Sequence, residues 1–161
     1  MVVNYLLSLM AFIGLMPIIG SSTGQLNASP QTSAVFLPLT LKNRCSPTIE
    51  FTSVPAYGSF QDLLGQVTCA TPADYKVAVY IYVFGWWTKP TFADPLTPIA
   101  KDGGWICDIT TGGSDQLAIK IYAFLVPTGY SPPPLSGSLA LPLDLFQTSV
   151  ASVSVGRGPT L

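Results

Sequence analysis

Between Tyr75 and Phe84 the chain reads YKVAVYIYVF, apolar at nearly every position. Side chains of an extended strand alternate with period two, so Val77, Val79, Ile81 and Val83 share one face. Ala78, Tyr80, Tyr82 and Phe84 share the other. β-branched and aromatic residues suit a pleated ribbon and make a poor helix. A ribbon apolar on both faces predicts a central strand covered on both sides. Gly85 breaks it, Trp86 and Trp87 follow, and Lys89-Pro90 ends any ladder. A second ribbon, Gln116 to Val126 (QLAIKIYAFLV), is expected to point Leu117, Ile119, Ile121 and Ala123 inward, with Lys120 and Tyr122 on the opposite face.

Shorter alternating runs surround these two. Thr48 to Val54 and Leu63 to Cys69 read as strands, stopped by Pro55 and by a turn over Ala70 to Asp74. Past Pro90, a loop with one short edge strand around Thr97 to Ala100 is expected. Lys101-Asp102-Gly103-Gly104 carries the Asp-Gly turn signal. Trp105 to Ile109 then returns as a strand, with Trp105, Cys107 and Ile109 on one face. Pro127 to Pro142 holds five prolines, too many for a ladder or a helix, and predicts a long surface loop. Leu143 to Gln147 reads as a single helical turn after Pro142. Ala151, Val153 and Val155 alternate with serines in a final strand. The pattern predicts an all-β domain over residues 47–157, an antiparallel two-sheet sandwich of about seven strands, with a small closed barrel as the competing architecture.

Composition narrows the function. Charged residues are 9% of the 161, against roughly 25% in ordinary globular chains. The seven cations are scattered singly and the net charge is −1. Nucleic-acid binding depends on clustered basic charge, so nucleic acid is excluded as a partner, and no membrane partner is expected for the mature domain. Tyr5 to Ile19 is an uncharged, mostly apolar run followed by small residues, the pattern of a signal peptide over residues 1–24. It would form a signal helix outside the domain, cleaved or kept as an anchor, and it implies a secreted or cell-surface protein. Residues 25–46 read as a flexible linker carrying an apolar arm, Val35 to Leu41. The arm is either an edge strand of its own domain or a segment added to a neighbour's sheet.

In an exported chain two of the three cysteines could pair, leaving one over. Cys69–Cys107 is the expected bridge, since both lie in expected strands; three unbridged buried cysteines are the other reading. No CxxC occurs and the chain has no His, so neither zinc nor any other cofactor is expected.

The run from Pro47 to Pro127 resembles the immunoglobulin-like or fibronectin-III-like sandwich modules of secreted bacterial proteins, often appended to carbohydrate-active enzymes or adhesins. The strand VAVYIYV, the DGGW turn (Asp102 to Trp105) and the strand QLAIKIYAFLV carry the resemblance. Two features depart from it: the Pro-rich loop before the last strand is long, and the cysteine spacing is not that of antibody domains. The resemblance implies an immunoglobulin-like fold and an extracellular context.

Without His, Ser-His-Asp and Cys-His nucleophilic sites are impossible, and no GxSxG elbow occurs. A single Glu, and Asp residues mostly beside turns, fit loop roles better than a glycosidase pair. No catalytic residue is therefore expected. Asp102, Asp108 and Asp115 lie near Gly-rich turns, where turn chemistry explains them better than calcium does. The aromatics carry the sharpest expectation. Trp86, Trp87, Trp105 and Tyr130 are candidates for stacking on a polysaccharide, with Lys89 or Asp94 bonding hydroxyls. The Tyr80–Tyr82–Phe84 face is better read as core under the 127–142 loop. Adjacent Trp86 and Trp87 point opposite ways, so one of the two is expected at the surface. The expected role is a non-catalytic module binding polysaccharide or another surface protein, against a structural subunit assembling through its arm.

Overall fold

The computed structural model describes residues 45–159. Residues 1–44, with the expected signal segment and the Val35 to Leu41 arm, lie outside the described residues. The elements in order are β1 (Thr48–Ser53), β2 (Leu63–Thr68), β3 (Tyr75–Tyr82), β4 (Trp86–Lys89), β5 (Gly104–Cys107), β6 (Lys120–Pro127), β7 (Ser136–Ser138), α1 (Leu143–Thr148) and β8 (Ala151–Gly156). A single 3-10 turn, Asp115–Leu117, precedes β6. The strands form two antiparallel sheets, β1-β2-β5 and β7-β4-β3-β6-β8. The fold is thus all-β and sandwich-like, with one short helix.

The two ribbons lie side by side at the centre of the larger sheet, paired from Tyr75–Pro127 to Tyr82–Lys120. Period-two alternation sorts their side chains. Val77, Val79, Ile81, Ile121, Ala123 and Leu125 join Ile49, Leu63, Val67 and Trp105 of the smaller sheet in one aliphatic core. Ala78, Tyr80, Phe124 and Val126 point the other way and form a second core with Trp86, Leu135 and Leu145. The Pro-rich segment and α1 cover that second face. The Tyr80 hydroxyl donates to the Pro133 carbonyl at 3.1 Å. Burying that phenol under proline raises its pKa above the ordinary range.

Several expectations need correction. There are eight strands among the described residues, not about seven, because Trp86–Lys89 after Gly85 returns as β4 and Ser136–Ser138 pairs along it. The expected strand at Thr97 to Ala100 is a lone bridge, Val77 to Thr97. β6 starts only at Lys120, so Leu117 and Ile119 are exposed rather than inward. The bridge expected between Cys69 and Cys107 is also wrong: Cys69 pairs with Cys45, at a Cα separation of 5.3 Å, and Cys107 is free and buried. Register explains this. Cys107 stands opposite Leu63, while Cys69 follows Thr68 at the far end of the same strand. Six residues of strand at ~3.4 Å each separate the two by roughly 20 Å, beyond any disulfide. Thr48 sits opposite Thr68, so the chain entering β1 brings Cys45 beside Cys69.

Candidate binding site

The β3–β4 hairpin closes over Val83, Phe84 and Gly85, with the Val83 N–H donating to the Gly85 carbonyl at 2.8 Å. Gly85 is required here: a Cβ would stand 2.5 Å from the Gly137 carbonyl oxygen. Phe84 takes a left-handed backbone, φ 55, a region bulky residues seldom enter. Its ring is 92% exposed. Along β4, Trp86 and Thr88 turn to the outer core, while Trp87 and Lys89 turn to the opposite face, where the smaller sheet supplies no strand beside them among the described residues. The loop from Thr111 to Asp115 lies there instead.

Hairpin and loop enclose a cleft of about 540 Å³, within the ~300–1,000 Å³ usual for small-ligand sites. Phe84, Trp87 and Phe92 form its aromatic walls, and Lys89, Thr111 and Asp115 its polar floor. Phe92 is 54% exposed. Trp87 is half-buried and its indole N–H donates to the Val83 carbonyl at 3.0 Å. Lys89 donates to the Asp115 carboxylate, forming a buried ion pair, and to Thr111 Oγ1 at 3.0 Å. The Thr111 hydroxyl in turn donates to the Pro90 carbonyl at 2.6 Å, and the Gly112 N–H donates to Asp115 Oδ2 at 2.8 Å. The loop is held from behind by Arg157. Its guanidinium donates to the carbonyls of Ala118 at 2.7 Å and Asp115 at 3.3 Å, and to that of Pro55 at 3.0 Å.

Of the five expected ligand-binding residues, the structure brings Trp87 and Lys89 together in this cleft. Trp86 and Trp105 are buried, the latter lying over Gly65, where a Cβ would collide with the indole. Tyr130 lies elsewhere, half-buried, its hydroxyl donating to Asp144. Burial, then the bond and charge of Asp144, raise its pKa. Asp94 is exposed; its backbone N–H bonds Thr91. Asp102 and Asp108 accept bonds within their own turns, and no metal-ligating group of three or more His, Cys, Asp or Glu residues occurs among the described residues. Burial pushes the Cys107 thiol up to about 12. No described helix is long and apolar enough to cross a membrane.

Sequence reasoning missed Phe84, Phe92, Thr111 and Asp115 as members of one site. The readable signal was Phe84 itself, an aromatic directly before a hairpin glycine. The pairing of Lys89 with Asp115 spans 26 positions and leaves no local trace. No family model, no curated protein and no solved structure matches the chain.

Proposed function

We propose that this chain is a secreted, non-catalytic binding module that takes a carbohydrate in the cleft between the β3–β4 hairpin and the Thr111 to Asp115 loop. One observation carries the reading: Phe84 stands almost fully exposed at the cleft mouth on a left-handed backbone. That conformation costs a bulky residue about 1–2 kcal/mol, and an exposed ring gains nothing from packing to offset it. Strain of this kind concentrates at binding sites. Phe92 and Trp87 add two further rings, and aromatic faces are suited to the apolar faces of sugar rings. The apolar run within residues 1–24 supports export.

The finer fold reading is an immunoglobulin-like or fibronectin-III-like module. Strand order supports it, with β1, β2 and β5 in the places of strands A, B and E, and β3, β6 and β8 in those of C, F and G. On that reading β4 is C′, and the long F–G connection is the segment that covers the outer core.

Titration of the full chain with soluble polysaccharides, followed by tryptophan fluorescence, tests the function. A saturable change that Phe84→Ala weakens at least about tenfold is expected. Equal affinity in the Phe84→Ala chain removes the cleft from the reading.

A further inference from the structure

We infer that the Lys89–Asp115 pair reads two adjacent hydroxyls of the bound sugar and selects an uncharged sugar over its uronic-acid counterpart. The inference rests on the carbohydrate reading of the cleft given above and names the ligand class within it.

The pair is almost dry, with side chains 6% and 10% exposed, yet both residues line the cleft. Removing two charges from water is costly, and their attraction repays it only when the remaining donors and acceptors are also used. Here they are not all used. An ammonium has three donors, and Lys89 spends two, on Asp115 and Thr111. Asp115 takes the Lys89 and Gly112 bonds on Oδ2 alone, and Oδ1 accepts none among the described residues. Among the described residues, one Lys89 N–H and the Asp115 Oδ1 thus have no protein partner, in a pair that lines the cleft.

A vicinal diol fits both. One hydroxyl oxygen accepts from Lys89 Nζ while its neighbour donates to Asp115 Oδ1, and each hydroxyl serves as either partner. The aromatic walls hold the ring above the floor. Charge sets the selectivity. Among the described residues, Lys89 and Asp115 are the only charged ones lining the cleft, so it is neutral overall. A carboxylate on the sugar would meet Asp115 with no second cation beside it, in surroundings where water screens poorly.

The test needs no variant at first. The unaltered chain is titrated with neutral gluco-, manno- and galacto-configured oligosaccharides, with the hexuronate oligosaccharides of the same configurations, and with methyl glycosides lacking two adjacent hydroxyls. Amide shifts at Gly112 and indole shifts at Trp87 are read by NMR. At least one neutral series should bind, its uronate and dideoxy counterparts about ten- to a hundredfold more weakly, the range expected for losing bonds to charged groups. In Asp115→Asn, checked for folding by circular dichroism, the preference should move toward the uronate. Uronates or dideoxy glycosides that bind the unaltered chain as tightly as the neutral sugars overturn the inference and leave the carbohydrate reading standing. Absence of any sugar-induced shift removes both.

Discussion

Trp105 and Trp87 show how one residue type meets two fates in the same domain. Trp105 sits on β5, 2% exposed, between the sheets. It lies over Gly65 across the strand pair and meets Phe51 edge-on at 6.0 Å. Trp87 sits on β4, outside the smaller sheet's cover, half-buried against the main core with its remaining surface in the cleft. Both indoles come from strands and both face inward. What separates them is the number of strands opposite. Among the described residues five strands face three, so the β7–β4 side of the larger sheet keeps part of its inner face open, and that opening is the cleft.

The widest gap between the two is in stability. Trp105→Ala should cost about 3–5 kcal/mol in chemical denaturation, through the cavity it leaves. Trp87→Ala should cost only about 1–2 kcal/mol, since part of its surface is never buried. Equal costs would mean the cleft is closed in solution. An intermediate effect separates the two regions by pH. Burial lifts the Cys107 thiol, two residues from Trp105, from 9.0 to about 12. From pH 9 to 12 the unfolded chain has released this proton while the folded chain keeps it. Stability is therefore full below about 9 and falls as pH rises through the window, by up to about 1.4 kcal/mol per unit. Cys107→Ala should remove the thiol's share of that slope in urea midpoints, most clearly between pH 9 and 10, before the raised Tyr80 and Tyr130 phenols add theirs, and Trp87→Ala should not. The smallest effect is the most telling. Phe84→Asn, placing a residue that tolerates the left-handed region at the hairpin tip, should raise stability by about 0.5–1 kcal/mol while removing sugar binding. A variant that is both less stable and still competent to bind would show that Phe84 serves the fold alone.

Much of the fold was legible because strands announce themselves locally. The alternation of Val77, Val79 and Ile81 with Ala78 and Tyr80 carried the central strand, its two-sided burial and its covering by the Pro-rich loop. Thr48–Ser53, Leu63–Thr68, α1 and β8 followed from the same pattern and its breakers. Leu117 and Ile119 misled because alternation alone does not say where a ladder begins, and a 3-10 turn occupies Asp115–Leu117. β4 was hidden by its four-residue length and its proline neighbour. The cleft was the least legible feature. It depends on which strand lacks a partner in the other layer, and on an ion pair between distant segments, and neither is written in any short window.

Arg157 carries a last consequence. The guanidinium at the end of β8 grips the backbone of the turn that presents Asp115, and grips the connection after β1 as well. The residue that follows β8 is thereby the buttress of the cleft floor. A truncation ending at Gly156 would leave every cleft residue in the sequence, yet deprive the carboxylate of the anchor that keeps it aimed at Lys89.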